Sequence, residues 1–387
     1  FSQKMHGTLP MSTLNDEFPQ IDGLRYLNHA AVSPWPRRAS DAVTRFAQQN
    51  ITIGARDYPQ WLAVETRLRN RLARLLNAPT PADIALVKNT SEALSFVAFG
   101  LEWKPGDQVV ISDEEFPSNR VVWEALRPQG VEVIQVSLKG EDPEGDLLAA
   151  CGPNVRLLAI SAVQYASGLR LDLPRLGEDC EQRGVLLCID AIQQLGALPF
   201  DAQQCRCAFA MADGHKWLLG PEGLGVFYCR SDLRDQLKLH EYGWHMLEHA
   251  GDYDRSDWQP ANSAQRFECG SPNLLGAMAL EASLSLLEEV GIVTVAQALA
   301  ERIDHLQREL SAMPGAELLS PTDPARRAGI LTFRIDGIDN PTLFQRLKEE
   351  QVVCALRGGG IRFSPHFYTP PEVIEQSLAV VRGLLAK

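Results

Sequence analysis

One lysine stands between a predicted strand and a glycine-rich turn. Lys216 follows the apolar run 207–211 and precedes the sequence Gly-Pro-x-Gly-x-Gly at residues 220–225. A lysine in such close-packed surroundings is partly removed from water, and desolvation lowers the pKa of an amine. A neutral amine is a nucleophile that forms Schiff bases with carbonyl compounds. The sequence therefore makes Lys216 the first candidate for covalent chemistry.

A carboxylate and an amide follow another predicted strand. Asp190 ends the apolar run 185–189, and Gln193 lies three residues further on. Open α/β sheets bind ligands at the carboxyl ends of their strands, so both side chains can face a ligand there. A buried carboxylate needs a cation, and a protonated pyridine nitrogen is one such partner. The alternative for Asp190 is an ordinary helix N-cap.

Two other segments suit an anion and a flat ring. Thr90 and Ser91 open a helical pattern, where free backbone N–H groups and the helix dipole favour a phosphate. A hydroxyl residue followed by an acid is also a plain capping signal. Phe116 follows a strand-like run that ends at Ser112, and it can either lie against a planar ring or fill the core.

The candidates lie on short strands that alternate with helices between residues 83 and 228. Apolar runs rich in Val, Ile and Leu predict buried strands of a mostly parallel sheet, at 108–112, 131–134, 157–160 and 185–189. A helical pattern over 176–183 ends at Gly184, a C-cap signal. Beyond Pro272, helices at 274–289, 295–313 and 371–385 and strands at 329–333 and 352–355 predict a smaller α+β domain.

Composition narrows the class of protein. With 387 residues, 45% of them hydrophobic, the chain is large enough for two domains. The net charge of −12 disfavours nucleic acid and anionic membrane surfaces, and no run reaches the roughly 20 apolar residues of a membrane helix. The eight cysteines lack paired metal spacing, and a metal site at His245 and His249 is the less favoured interpretation. We expect a cytoplasmic protein with reduced thiols and no metal.

Together these features resemble the class V aminotransferase group of fold-type I pyridoxal phosphate enzymes, which includes cysteine desulfurases, selenocysteine lyases, kynureninases and isopenicillin N epimerases. The likeness runs from residues 26–31 to residues 362–366 and is most specific in the run 214–225 and in the Asp-x-x-Gln pair before it. It implies an α/β fold with a mostly parallel seven-stranded sheet in a large domain and a smaller C-terminal α+β domain. The implied units are an N-terminal segment packed on the small domain, a cofactor domain, and a linking helix with the small domain, at 1–30, 31–272 and 273–387.

The resemblance also implies how the cofactor is held. Pyridoxal 5'-phosphate is expected to form a Schiff base with Lys216, to pair its pyridine nitrogen with Asp190 and to place its ring hydroxyl near Gln193. The remaining cofactor contacts implied are the phosphate ligands Thr90, Ser91 and His215, the ring-stacking Phe116, and Gln164 beside the cofactor or the substrate carboxylate.

Substrate and partner contacts follow from the same resemblance. Arg362 is expected to bind the carboxylate of an α-amino acid substrate, because a guanidinium matches a planar anion. Arg357, Asn28 and His29 are expected near the substrate, although His29 can equally be structural. Ser271 is expected to reach the phosphate of a neighbouring subunit, which implies a homodimer with shared active sites; a loop before a helix is the alternative.

Two departures from the family pattern bear on the reaction. The stretch after Arg357 is short and lacks the cysteine that desulfurases carry there, and Cys354 nearby suits a buried structural role. Asp213 replaces a serine that relatives often place near the phosphate, so we expect it to point away or to pair with a cation.

The main hypothesis is aminotransferase-type chemistry on an α-amino acid through an external aldimine, with Lys216 moving the α-proton. The alternatives are a cysteine or selenocysteine Cβ–S(Se) lyase or desulfurase, an amino-acid epimerase, and a catalytically silent binding protein with the same fold.

Overall fold

The computed structural model describes residues 11–385. Its helices are α1 Met11–Glu17, α2 Arg37–Ile53, α3 Tyr58–Leu75, α4 Thr90–Gly100, α5 Ser118–Glu124, α6 Pro143–Ala150, α7 Leu173–Arg183, α8 Leu274–Val290, α9 Ile292–Ser311, α10 Asn340–Glu349 and α11 Pro371–Leu385. Its strands are β1 Arg25–Tyr26, β2 Ile84–Val87, β3 Gln108–Ser112, β4 Glu132–Val136, β5 Val155–Ser161, β6 Leu186–Asp190, β7 Phe209–Asp213, β8 Gly225–Cys229, β9 Ala316–Leu318, β10 Leu331–Ile335, β11 Val352–Val353, β12 Ala355–Arg357 and β13 Gly360–Phe363.

Seven strands form the large sheet, in the order β2-β8-β7-β6-β5-β3-β4. The pairs from β7 to β4 are parallel, and β8 runs antiparallel to both β7 and β2. Strands β3, β5, β6 and β7 therefore direct their carboxyl ends to one edge of the sheet. This edge is where an open parallel sheet binds ligands.

Burial on both faces explains the continuous apolar runs of these strands. Leu158 and Ile160 of β5 pack into the core on one face of the sheet, while Leu157 and Ala159 pack into the core on the other. Alternate side chains of a strand point to opposite faces, so a strand covered on both sides needs apolar residues at every position. Helix α7 ends where Gly184 adopts a left-handed φ of 67°, as its C-cap signal predicts.

The C-terminal part builds a second, antiparallel sheet of four strands in the order β12-β13-β10-β9. A third core fills the space beneath it and includes Leu27, Phe333, Phe363 and Leu378. Strand β1 pairs in parallel with β11, which joins the chain near its described start to this C-terminal part. Helix α8 connects the two sheets and begins at Asn273, whose Oδ1 accepts a hydrogen bond from the Gly276 N–H at 2.9 Å.

The predicted α/β class is confirmed, including the seven-stranded, mostly parallel sheet. One predicted strand differs: the run 352–355 divides into β11 and β12, and Cys354 lies buried between them. The unit boundaries at residues 31 and 273 stay predictions, and residues 1–10 of the first unit lie outside the described residues. Within residues 11–385, no helix combines the length and apolar composition that a membrane crossing requires.

Candidate active site

A cavity of about 300 Å³ opens at the carboxyl edge of the large sheet. Its floor comes from the ends of β5, β6 and β7, and its sides come from α4, the loop after β3 and the C-terminal sheet. The predicted site residues that line it are Lys216, Asp190, Gln193, His215, Thr90, Ser91, Phe116, Arg357 and Arg362. Nine side chains from distant parts of the sequence thus meet where the strand pattern placed the ligand.

The turn around Lys216 is held by its own backbone hydrogen bonds and packs against helix α8. The Gly214 N–H donates to the Leu224 carbonyl at 2.9 Å, and the Gly220 N–H donates to the Gly214 carbonyl at 2.8 Å. A Cβ atom on Gly220 would lie only 2.5 Å from Cδ1 of Leu280 in α8, so a larger residue there would require the Leu280 side chain to shift. The turn therefore fixes the backbone of Lys216 against the sheet.

Burial makes Lys216 a weak base. Removal from water lowers its pKa to about 8, and the nearby guanidinium groups of Arg362 and Arg357 act in the same direction. Asp190 and Asp213 oppose this shift. The ammonium nitrogen lies 5.6 Å from the ring centroid of Phe116. About a tenth of the amine is therefore neutral at pH 7, far more than in an exposed lysine, and Schiff-base chemistry requires this neutral form.

Asp190 is a buried carboxylate at the end of β6. Only 2% of its surface is exposed, and its Oδ1 accepts a hydrogen bond from the Ile192 N–H at 3.0 Å. Burial raises its pKa to about 7, and Glu115 and Asp213 add to the rise while Lys216 opposes it. A cation placed beside Asp190 would keep it ionised.

Gln193 is held by the scaffold. Its Nε2 donates to the Ala30 carbonyl at 3.0 Å, and its Oε1 accepts from Trp217 Nε1 at 2.8 Å. One Nε2 hydrogen remains for a ligand because an amide nitrogen carries two. The side chain therefore ties the residue after Lys216 to the segment at Ala30.

The phosphate end of the cavity contains an acid. Asp213 accepts hydrogen bonds from both the backbone N–H and the hydroxyl of Thr90, the latter at 3.1 Å. Its other oxygen lies 3.5 Å from Nδ1 of His215. Of the two arrangements expected for Asp213, it does not point away from the site; His215 is the group beside it that can become a cation, and the N–H donors at the start of α4 also attract its carboxylate. Ser91 donates instead to the hydroxyl of Ser118, at 2.9 Å.

Two arginines and a tyrosine form the opposite end. Arg362 in β13 is 2% exposed; its Nη1 donates to the Tyr165 carbonyl at 2.6 Å, and its buried Nε lacks a partner. Burial, and then the charge of Arg357, lowers the pKa of Arg362 to about 10. Tyr165 also packs edge-to-face on Phe116, with ring centroids 5.2 Å apart. The sequence prediction missed Tyr165, although its place beside Gln164 after a strand could have suggested it.

Two predicted residues lie outside the cavity wall because other groups bind them. Gln164 is fully buried and donates through Nε2 to Glu115 at 3.3 Å, so it lies behind the cavity. His29 is also fully buried, and its ring nitrogens bond to the Ser364 carbonyl at 2.8 Å and the Tyr368 hydroxyl at 2.7 Å. These contacts support the structural alternative for His29.

Asn28 and Ser271 also lie apart from the cavity. Asn28 forms a β-bridge with Ser364. Residues 30–32, a little further along the chain, line the cavity. Ser271 lines a different cavity, of about 420 Å³, together with Lys88 and Glu241. A single chain does not bring Ser271 to Lys216, so its predicted role depends on a second subunit.

No cysteine within residues 11–385 lines the Lys216 cavity. All eight cysteines are unpaired thiols, and seven are buried. Burial raises the pKa of Cys354, the one nearest in sequence to Arg357, to about 12. A thiolate nucleophile is therefore not available from Cys354 at neutral pH.

The cluster of possible metal ligands lies elsewhere. Glu65, His245 and Glu268 place ligand atoms within 4.8 Å of one another. The guanidinium of Arg69 already donates to both carboxylates, at 2.9 Å from Glu65 and, through its other terminal nitrogen, at 2.5 Å from Glu268. A cation thus occupies the position that a metal would take.

The cavity residues fit pyridoxal phosphate. A buried carboxylate that needs a cation, Asp190, lies at the same sheet edge as the amine of Lys216, and the exposed face of Phe116 forms a wall beside it. The start of α4 supplies donors for a phosphate, and the buried Nδ1 of His215 lacks a hydrogen-bond partner. The donor set matches a ring nitrogen, an aldehyde and an anion.

Comparison with known proteins agrees with this chemistry. The family model "Aminotransferase class-V" matches residues 25–367. A probable cysteine desulfurase of Methanothermobacter thermautotrophicus is 30% identical, over 95% of this chain and 97% of that protein. The isopenicillin N epimerase of Streptomyces clavuligerus is 29% identical, over 90% of this chain and 92% of that protein.

Solved structures share the fold. A mutant of C-DES with glycine covalently linked to its pyridoxal phosphate cofactor has a TM-score of 0.88 and 24% identity, over 95% of this chain and 98% of that one. The cysteine desulfurase CsdA of Escherichia coli has a TM-score of 0.86 and 24% identity, over 98% and 99%. With the family model spanning both sheets and the cavity, the chain belongs to the class V aminotransferase family of fold-type I enzymes, whose cofactor is pyridoxal phosphate.

Proposed function

We propose that this protein is a carbon–sulfur lyase that acts on cysteine or a related sulfur-bearing α-amino acid. The proposal follows the alternative hypothesis from the sequence and not the main one. Relatives named cysteine desulfurase or probable cysteine desulfurase support it better than they support amine transfer. The class V family name does not by itself define the reaction, because one fold supports several chemistries.

One observation carries the proposal. The cavity places the buried amine of Lys216 with Asp190 and Arg362, while no described cysteine lines it. Asp190 suits a cofactor to which the amine of an amino acid is bound. Arg362 suits the carboxylate of that amino acid. Because no described cysteine lines the cavity, sulfur would leave as sulfide and would not be transferred to a thiol of the site.

Four side chains of the cavity would each have a separate role in the reaction. When bound, pyridoxal phosphate supplies an electron sink that acidifies the α-proton of an amino acid. Asp190 would hold the ring nitrogen, and Phe116 would form the wall beside the ring. Arg362 would bind and orient the carboxylate. Lys216 would accept the α-proton at Nζ, because its lowered pKa makes the neutral amine far more abundant than in an exposed lysine.

Loss of the α-proton leads to β-elimination. The Cβ–S bond breaks and sulfur leaves with both bonding electrons, as sulfide that takes up a proton. With cysteine and one water, the products are pyruvate, ammonia and hydrogen sulfide, and no oxidant or reductant is consumed. A desulfurase instead transfers sulfur to a protein thiol and releases alanine, a step for which this cavity offers no thiol.

Incubation with cysteine tests the proposal. We expect pyruvate, ammonia and sulfide in equal amounts, and we expect Cys354→Ala and Cys269→Ala to keep this activity. Alanine as the carbon product, or loss of turnover in a cysteine variant, would contradict it in favour of desulfuration. Amine transfer to a keto acid would restore the aminotransferase hypothesis. Exchange of the α-hydrogen with solvent without sulfide would indicate an epimerase, as one relative is named.

A further inference from the structure

Asp213 occupies both hydrogen-bond donors of Thr90, the first residue of α4. Its Oδ1 accepts both the N–H and the hydroxyl of Thr90, and its Oδ2 lies 3.5 Å from Nδ1 of His215. This nitrogen is buried and makes no hydrogen bond within the described chain. The first residue of an 11-residue helix therefore donates to a carboxylate at the cavity wall.

A bound phosphate would compete for this position. The phosphate of the cofactor is mostly a dianion above its second pKa of about 6. An ionised Asp213 beside it would repel it strongly, because the site is largely screened from water. A protonated Asp213 has no net charge and can donate a hydrogen bond to a phosphate oxygen.

The charges around Asp213 come from four segments. His215 and Lys216 follow it in the same turn, and both favour the ionised form. Asp190 at the end of β6 and Glu222 across the glycine-rich turn are acids that line the same cavity. From α4, the nearest charged group is Glu92, which is paired with Lys88 at 2.7 Å.

Burial decides the balance in the free protein. It raises the pKa of Asp213 although Lys216, and His215 when protonated, oppose the rise, and it lowers the pKa of His215. A dianion arriving beside the pair raises the proton affinity of both groups further.

We propose that binding of the cofactor phosphate is coupled to uptake of one proton by Asp213, which then donates a hydrogen bond to the phosphate. This inference rests on the cofactor site described above and is independent of the reaction that follows. Affinity for the cofactor falls about tenfold for each pH unit above the pKa of Asp213 in the free protein, because the proton must be taken from solution.

Calorimetry can count the proton. The protein is Lys216→Ala, in which no Schiff base forms and whose lost cation favours protonation of Asp213. Pyridoxal 5'-phosphate is titrated into it at about pH 8, in two phosphate-free buffers of different ionisation enthalpy. We expect uptake of about one proton for each cofactor bound. In the double variant Lys216→Ala with Asp213→Asn, we expect no proton uptake and an affinity for the cofactor that is nearly independent of pH above about 7.

Several outcomes would overturn the inference. Binding to Lys216→Ala with no proton uptake contradicts it directly, and this result does not depend on how well an Asp213 variant folds. Uptake that persists in Asp213→Asn, or in Asp213→Ser if the first variant is unstable, assigns the proton to another group. Failure of the unmodified protein to bind pyridoxal 5'-phosphate overturns the proposed function itself and is therefore distinguishable.

Discussion

At the scale of the residue, burial rather than residue type creates the reactivity of this site. Lys216 and Asp190 are ordinary side chains whose pKa values move toward each other, to about 8 and about 7, because both lose water. The shifts are opposite because desolvation penalises the charged form, which is the acid form of an amine and the base form of a carboxyl. Paired groups with converging pKa values are typical of active sites.

Replacing Lys216 by alanine tests its role as covalent anchor. We expect borohydride to fix the cofactor to the unmodified protein, seen by mass spectrometry as an added mass on the peptide with residue 216. We expect Lys216→Ala to show no such adduct and to lose at least about a thousandfold in activity, since both anchor and base are removed. Lys348→Ala, an exposed lysine on α10, is the matched control. A reducible adduct in Lys216→Ala would refute the assignment.

At the scale of the element, a set of contacts between distant parts of the chain holds the C-terminal sheet beside the cavity, and those of His29 are among them. His29, just after β1, bonds to Ser364 and Tyr368, which follow β13. The same C-terminal sheet carries Arg362 into the cavity. His29 therefore fixes the position of the substrate end from outside the cavity.

The pH dependence of stability reports on this contact. Burial lowers the pKa of His29 from 6.5 to about 4. Between these two pH values the unfolded chain binds a proton at His29 and the folded chain does not. Stability therefore falls as the pH drops below 6.5 and levels off near 4. Between about pH 7.5 and about pH 5, His29 contributes a loss of about 2 kcal/mol in the free energy of unfolding.

Denaturant unfolding at the two pH values measures this loss. We expect His29→Gln to be less stable at the higher pH, because hydrogen bonds are disturbed, and to lose about 2 kcal/mol less on acidification. His249→Gln, in an exposed loop, should keep the full pH dependence. An unchanged difference between the two pH values in His29→Gln would show that its neutral form is not required for folding.

At the scale of the whole molecule, the site is incomplete in one chain if the predicted role of Ser271 holds. Ser271 lines a second cavity away from Lys216, in which Lys88 and Glu241 also lie. A serine that binds the phosphate of another subunit makes the homodimer the functional unit. Such a dimer has a mass of roughly 86 kDa, twice the 42.8 kDa of the chain.

Mixed dimers test this prediction. Lys216→Ala and Ser271→Asp are each expected to be inactive, the second because its carboxylate repels the phosphate. If Ser271 acts across the interface, a dimer with one copy of each variant has one intact site and should show about half of the normal activity. Differently tagged subunits, produced together and purified through both tags, provide this species. An inactive mixed dimer would mean that Ser271 serves its own subunit, and an active Ser271→Asp homodimer would mean that it serves neither site.

The sequence by itself determined the cofactor chemistry and the α/β architecture. Short stretches of sequence are enough to recognise Lys216, Asp190 and the apolar runs. A strand covered on both faces must be apolar throughout, and a ligand-binding residue must follow its carboxyl end. Thr90 and Ser91 were expected at the start of a helix, and Phe116 was expected after a strand with core packing as its alternative. The resemblance to the class V group, and not spacing alone, joined these residues into one cofactor site.

Tertiary structure alone decided which side chains face the cavity and what they contact. It turned Asp213 onto the start of α4, enclosed His29 between Ser364 and Tyr368, and placed Tyr165 rather than Gln164 on the cavity wall. Sequence spacing could not give these results, since each depends on hydrogen-bond partners from remote segments. The ligand-binding edge is a local consequence of strand order, whereas the orientation and charge of each group depend on the packed surroundings.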